Sequence, residues 1–179
     1  MRRISLFVLL LWAAHAHAQR GIEGGKKWAI LIGVEQYWYV NELQYCVDDV
    51  QLLRDTLVRT SGYDSDNVLL LCDDAPDKRH TPLKANIVHQ VDLWANAVGP
   101  DDTLLFYFSG HGFRAKDDNV DYLLPQEATL ADLKGTAVAL SWVVGKLEAS
   151  KAKRTVLVTD ACRNVVAKGV AVESKFGGG

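Results

Sequence analysis

Hydrophobic positions along the chain follow two alternating patterns. Short continuous apolar runs are typical of buried strands, and apolar residues spaced by three and four are typical of helices that cover a sheet. The runs predict four strands, at 28–34, 67–72, 103–109 and 155–160. The helical spacing predicts three helices between them, over 46–60, from 81–82 up to Gly99, and from Ser141 onward.

The ends of these elements carry local signals. The first helix has one apolar stripe with a negatively charged first turn, which suits the helix dipole; the stripe is Cys46, Val50, Leu53 and Leu57, and the charges are Asp48 and Asp49. Thr81 and Pro82 predict the start of the second helix, with a hydroxyl cap and proline in the first turn. Residues 113–124 predict a small hairpin.

The alternation of strands and helices predicts the fold class. Strand–helix–strand order favours a parallel sheet with helices on both faces. We therefore expect an α/β fold, a three-layer αβα sandwich with a mostly parallel sheet.

The N-terminal segment has the pattern of a secretory signal peptide. Arg2 and Arg3 form a basic start, residues 4–14 are nearly all apolar, and Ala16 and Ala18 form a small-residue cleavage site. The alternative, a membrane anchor, requires a longer apolar stretch. We expect residues 1–18 to be a signal peptide, 19–26 a leader, 27–176 one globular domain and 177–179 a flexible tail, and the protein to be secreted or periplasmic.

Composition narrows the classes of partner. The chain has 179 residues, 49% of them hydrophobic, and a formal net charge of −2. These values fit one globular domain and give no reason to expect nucleic acid, or a membrane once the signal is removed. Three cysteines, Cys46, Cys72 and Cys162, leave at least one unpaired thiol in an exported protein. A bridge between Cys46 and Cys72 is one alternative; burial of both as free thiols is the other.

Two polar residues lie where strands are predicted to end. His111 follows the strand at 103–109, and Cys162 follows the strand at 155–160. The carboxyl ends of parallel strands meet at one edge of the sheet, so the thiol and the imidazole are expected in loops at that edge. There they would act as a nucleophile and its general base. Glycines flank His111 and let a substrate approach the backbone; the N–H groups of Gly112 and Cys162 would form the oxyanion hole.

These two segments resemble the catalytic motifs of a known peptidase family. Ser109-Gly110-His111-Gly112 and Asp160-Ala161-Cys162-Arg163-Asn164 look like the signatures of caspase-like cysteine peptidases, closest to the bacterial members grouped with metacaspases and paracaspases. Caspases have Gln-Ala before the cysteine where this chain has Asp-Ala. The resemblance implies a caspase-like fold and an endopeptidase that works through a thioester acyl-enzyme.

The same resemblance implies the substrate. Metacaspases and paracaspases use acidic residues to bind a basic side chain just before the scissile bond, and Asp49 and Asp160 match those positions. A carboxylate can bind a guanidinium through two hydrogen bonds. We therefore expect a peptide or protein substrate cleaved after Arg or Lys.

The resemblance also raises questions of completeness and of metal. In the family a second, smaller unit follows the nucleophile segment, so residues 27–176 correspond to the large-subunit part, and a second subunit or C-terminal part is expected to complete it. Asp117, Asp118 and Asp121 offer oxygen ligands for calcium, but a solvated turn is favoured and no cofactor is expected. The rival functions are an inactive caspase-like interaction module and another thiol hydrolase of the cell envelope.

Overall fold

The computed structural model describes residues 24–115 and 119–162, the last of them through its backbone. The predicted signal peptide, most of the leader, Asp117, Asp118, residues 163–176 and the tail lie outside the described residues. In chain order the elements are β1 (Lys27–Gly33), α1 (Cys46–Thr60), β2 (Val68–Cys72), α2 (Lys84–Ala97), β3 (Thr103–Arg114), β4 (Asp121–Leu123), α3 (Leu133–Thr136), β5 (Val138–Ala139), α4 (Leu140–Ala149) and β6 (Arg154–Cys162).

The sheet confirms the predicted fold class. β1 pairs in parallel with β2 and β3, and β3 pairs in parallel with β6. The two short strands β4 and β5 are antiparallel and extend the second half of β3. The long strands therefore make a mostly parallel sheet, with a small antiparallel extension at its carboxyl edge.

Helices cover both faces of this sheet. Alternate residues of β1 point to opposite faces. Ala29 and Leu31 pack with α1 through Val50, and Ile30 and Ile32 belong to the core that α2 and α4 cover. Both faces of β1 are therefore buried, which explains why its sequence is one continuous apolar run. No helix in the described part of the chain has the length and apolarity needed to cross a membrane.

The start of α2 differs from the prediction. The helix begins at Lys84, and the Thr81 hydroxyl donates to the carbonyl of Lys78 instead of capping the helix. The Lys84 N–H instead donates to the Glu127 carboxylate at 2.8 Å. The cap therefore comes from a residue 43 positions later, which local sequence signals do not indicate.

Asp102 holds the amino edge of the sheet together. Its buried carboxylate accepts hydrogen bonds from the Lys26 N–H at 2.6 Å, the Trp28 indole at 2.9 Å and the Gly99 N–H at 2.8 Å. Its carbonyl accepts from the N–H of Lys153 at 2.9 Å. One residue thus joins the start of β1, the end of α2 and the approach to β6.

Candidate active site

The backbone brings His111 and Cys162 side by side. They are register partners on the parallel strands β3 and β6, and Ser109 and Asp160 are partners two positions earlier. His111 lies inside β3, so the expectation that it occupies a loop was wrong, whereas Cys162 is the last residue of β6. β3 continues to Arg114 because its second half also pairs with β4, with Gly112 opposite Leu123.

The imidazole of His111 is buried and held in one orientation. The residue is 5% exposed, and its Nε2 lies 2.8 Å from the carbonyl oxygen of Asn41. A carbonyl only accepts, so Nε2 carries the hydrogen, and Nδ1 of the neutral ring has a free lone pair. Nδ1 is buried and has no hydrogen-bond partner among the described residues. The ring therefore presents an unoccupied basic nitrogen.

Burial also sets the protonation state of this ring. It lowers the pKa of His111, and the bond to Asn41 opposes that shift only in part. The neutral imidazole is the form that accepts a proton, so the environment favours the base.

Tyr37 fixes the backbone of the same residue. Its hydroxyl accepts a hydrogen bond from the His111 N–H at 2.7 Å, and the two rings lie 4.7 Å apart. A Cβ atom at Gly110 would come within 2.7 Å of that hydroxyl. Gly110 thus makes room for Tyr37, whereas the sequence interpretation assigned the flanking glycines to substrate approach.

Sequence reasoning missed both partners of His111. Asn41 acts through its backbone carbonyl, which leaves no trace in residue type. Tyr37 is one of three consecutive aromatic residues in the segment after β1, and nothing in the sequence separates it from Trp38 and Tyr39. The burial of Tyr37, against the exposure of its two neighbours, distinguishes it in the structure.

The two predicted substrate carboxylates converge on one area of the surface. Asp49 lies in the first turn of α1, and Asp160 lies in β6. Burial, followed by the charges of Asp160 and Asp49, raises the pKa of Tyr107. Both carboxylates therefore act on the same phenol in the middle of β3, although they are 111 positions apart in the chain.

The thiol of Cys46 belongs to the same area. Burial raises its pKa, hydrogen bonding to Ser109 opposes that shift, and the charges of Asp49 and Asp160 add to it. We name this set, Cys46, Asp49, Tyr107, Ser109 and Asp160, the acidic site. Asp49 and Asp160 are exposed, so a ligand can reach their carboxylates from solvent.

A cavity of about 570 Å³ lies elsewhere, beside the edge strand β2 between residues of α1 and α2. Neither His111 nor the carboxylates of the acidic site line it.

Cys46 and Cys72 are both buried and free, so the alternative of a bridge between them is wrong. Among the described residues, no group of three or more His, Cys, Asp or Glu side chains could hold a metal ion. Of the predicted calcium ligands, Asp121 pairs with Arg114 at 3.2 Å, while the other two lie outside the described residues.

Comparisons with known proteins agree with this arrangement. The family model for the metacaspase, peptidase C14 domain matches residues 27–164. Metacaspase-1 of Yarrowia lipolytica is 39% identical over 105 residues, which are 59% of this chain and 23% of that protein. Metacaspase-1 of Schizosaccharomyces pombe is 34% identical over 100 residues, 54% of this chain and 24% of that protein. The aligned region thus spans about a quarter of each relative.

A solved structure supports the fold. Protein GSU0716 from Geobacter sulfurreducens superposes with a TM-score of 0.57 at 18% identity, covering 76% of this chain and 50% of that chain. At this identity the likeness concerns architecture. The family match covers most of the chain, including His111, Cys162 and the acidic site. The chain belongs to the metacaspase family of peptidases.

Proposed function

We propose that this protein is a cysteine endopeptidase that cleaves peptide bonds after Arg or Lys, with Cys162 as nucleophile and His111 as general base and acid. The observation that carries the proposal is the pairing of these two residues on β3 and β6, together with the unoccupied Nδ1 of His111. A nucleophile and an oriented base at one edge of a sheet are the minimum for acyl transfer.

The reaction follows from these groups. Nδ1 of His111 takes the thiol proton of Cys162, and the sulfur attacks the carbonyl carbon of the substrate. The N–H groups of Gly112 and Cys162 stabilise the oxyanion, and the imidazolium gives its proton to the leaving amine. The thioester is hydrolysed by a water that His111 deprotonates, and the proton then returns to the sulfur. The Asn41 carbonyl keeps the ring in the tautomer that each step requires.

The acidic site supplies the specificity. The charges of Asp49 and Asp160 both raise the pKa of Tyr107, and Asp160 pairs with Ser109 two positions before the pair of His111 and Cys162. A guanidinium or ammonium between them gains charge-assisted hydrogen bonds. An acidic side chain at the same place meets two like charges, so Asp-containing substrates are rejected.

The proposed enzyme includes further sheet strands beside β6. Val156, Leu157 and Val158 of this strand are 45%, 36% and 41% exposed, and β3 is its pairing partner among the described residues. Apolar residues on both faces of a strand normally lie inside a sheet. We propose that a second subunit or a C-terminal part of the protein packs here and completes the substrate cleft.

The proposal also covers the location of the protein and its need for a cofactor: we propose that it is exported and that its reaction needs none. The signal-like pattern of residues 1–18 supports a secreted or periplasmic location. The thiol and the imidazole provide nucleophile and base without a cofactor, and calcium is the alternative. Activity that survives EDTA supports the cofactor-free reaction, whereas activity restored only by added calcium supports the alternative. Detection in the periplasm or medium tests the location.

The decisive experiment compares the wild-type protein with Cys162→Ala on matched reporters that carry Arg or Asp before the scissile bond. We expect cleavage of the Arg reporter by the wild type alone. A chloromethyl ketone of an Arg peptide should label Cys162, which an inert interaction module would not allow. Retained turnover in Cys162→Ala contradicts the dyad, and hydrolysis of small amides without Arg preference favours another thiol hydrolase.

A further inference from the structure

The segment between β1 and α1 carries both groups that hold His111. We name residues 34–45 the orienting loop, since Tyr37 and Asn41 belong to it. We propose that Asp73, at the end of β2, is a positioning residue that holds the orienting loop against His111. The inference rests on the proposed function, because it concerns the base of that reaction.

Asp73 fastens the loop from outside. Its Oδ2 accepts hydrogen bonds from the N–H groups of Glu35 at 2.7 Å and Gln36 at 3.0 Å. Its Oδ1 accepts from the side-chain amide of Gln126 at 3.2 Å. One half-buried carboxylate thus joins the first residues of the loop to a second segment that follows β4.

The fastened residues adjoin those that hold the imidazole. Tyr37 follows Gln36 directly and accepts from the His111 N–H at 2.7 Å. Asn41, four residues later, accepts from Nε2 at 2.8 Å. A shift at Glu35 and Gln36 therefore reaches the backbone and the ring of His111 through two separate bonds.

Hydrogen bonds tie the two ends of the loop to each other and to α1, so the loop forms one hydrogen-bonded unit. The Leu43 N–H donates to the Glu35 carbonyl at 3.0 Å, and the Glu35 carboxylate accepts from the Val47 N–H at 2.9 Å. The Trp38 N–H donates to the carbonyl of Gln126 at 2.9 Å, next to the contact with Asp73. Asp73 and Gln126 together form the clamp on this unit.

The charge on Asp73 strengthens its hold on the loop. Burial raises the pKa of Asp73, and the two N–H groups of Glu35 and Gln36 oppose the shift. A carboxylate is retained here even though burial disfavours its charge. An ionised acceptor bonds both N–H groups more strongly than a neutral one does.

The test compares Asp73→Ala, Asp73→Asn and the matched control Asp74→Asn in the wild-type chain. Misplacing a catalytic base by about 1 Å costs on the order of 100-fold in rate. For Asp73→Ala we expect kcat on an Arg reporter to fall at least about tenfold, with KM within about twofold. Asn keeps one oxygen for the two N–H groups, and Gln126 can turn its amide, so Asp73→Asn should recover most of kcat. Asp74→Asn should match the wild type.

A second readout is independent of peptide cleavage. The rate at which iodoacetamide alkylates Cys162 at pH 7, followed by mass spectrometry, reports activation of the thiol by His111. We expect a slower rate in Asp73→Ala than in Asp74→Asn. If the wild type cleaves no Arg reporter but this difference is present, the positioning role stands and the peptidase proposal fails.

Three results would overturn the positioning role. The first is cleavage and alkylation by Asp73→Ala at wild-type rates. The second is a change in KM without a change in kcat. The third is an equal loss in Asp73→Ala and Asp73→Asn, which would indicate a general need for the carboxylate in folding.

A second variant covers the case in which Asp73→Ala does not fold. Gln126→Leu removes one bond of the clamp and should give a smaller loss of kcat in the same direction. An unchanged kcat in Gln126→Leu counts against the role.

Discussion

Nε2 of His111 lies 2.8 Å from the carbonyl oxygen of Asn41, and Nδ1 of this buried ring has no hydrogen-bond partner in the described part of the chain. The ring is thus oriented by a main-chain oxygen, which carries no charge and does not titrate. Burial has the larger influence on the pKa of the imidazole, and it lowers that pKa.

This arrangement predicts how His111 titrates. In Cys162→Ala, where no thiolate is present to stabilise an imidazolium, the pKa of His111 should lie below the usual value of about 6.5. Because the folded pKa is lowered, the native state gains stability from the neutral ring above about pH 6.5 and loses it as the pH falls through the folded value. NMR titration of the imidazole measures this. A midpoint at or above about pH 6.5 would contradict it.

Substitutions of the two carboxylates in the acidic site are expected to change substrate specificity without changing stability. Asp160→Asn and Asp49→Asn should each lower kcat/KM on Arg reporters roughly tenfold, because a charge-assisted bond to the guanidinium is lost. Both side chains are exposed, so the urea midpoint should not move. Asp48→Asn is the control, since Asp48 is an exposed acid of the same first turn of α1 and adjoins Asp49. The same loss in Asp48→Asn would refute the assignment.

The left-handed backbone conformation of Tyr45 predicts that its replacement by glycine stabilises the protein. It precedes α1 with φ of 72°, and its side chain is 67% exposed. The left-handed conformation costs a residue that has a Cβ about 1–2 kcal/mol, and glycine avoids this cost. Glycine also loses more backbone entropy on folding, which offsets part of the gain. We expect Tyr45→Gly to raise the free energy of unfolding by roughly 0.5 kcal/mol. Tyr39→Gly, another exposed tyrosine of the orienting loop, should give no gain; a gain in both would point to another cause.

Replacement of Asp102 is expected to lower the free energy of unfolding without a direct effect on the proposed reaction. Burial raises the pKa of its carboxyl, but hydrogen bonds from Gly99, Trp28 and Lys26 outweigh burial and lower it. Asp102→Ala leaves three donors without their acceptor and should cost about 3 kcal/mol, measured by urea unfolding. The stability that Asp102 contributes should be present above about pH 4 and be lost as the pH falls through its lowered value. A loss below 1 kcal/mol, as is common for exposed sites, would contradict this.

The fold could be predicted where local patterns determine the element. Cys46–Thr60 was predicted to the residue because one apolar stripe and an acidic first turn define α1, and Gly62, with φ of 72°, follows its end. The start of α2 was missed because Glu127 caps it from a distant segment. The extension of β3 was missed because it depends on pairing with β4 and β6, which a single segment does not encode.

The same division applies to the site. His111 and Cys162 could be proposed as the catalytic pair because their residue types carry chemistry and their positions follow apolar runs. Whether the thiol faces Nδ1 stays a prediction, since the Cys162 side chain is outside the description. The clamp at Asp73 could not be predicted, because its partners are backbone N–H groups whose positions exist only after folding.

The fastening at Asp102 has a consequence for how this enzyme can diverge. It lies at the amino edge of the sheet, whereas the orienting loop and the acidic site lie at the carboxyl edge. The proposed selectivity is therefore encoded in a different region from this stabilising network, and substitutions that change substrate preference need not destabilise the scaffold. Laboratory evolution toward new cleavage sequences can accordingly concentrate on the exposed residues around Asp49 and Asp160, while the opposite end keeps the protein folded.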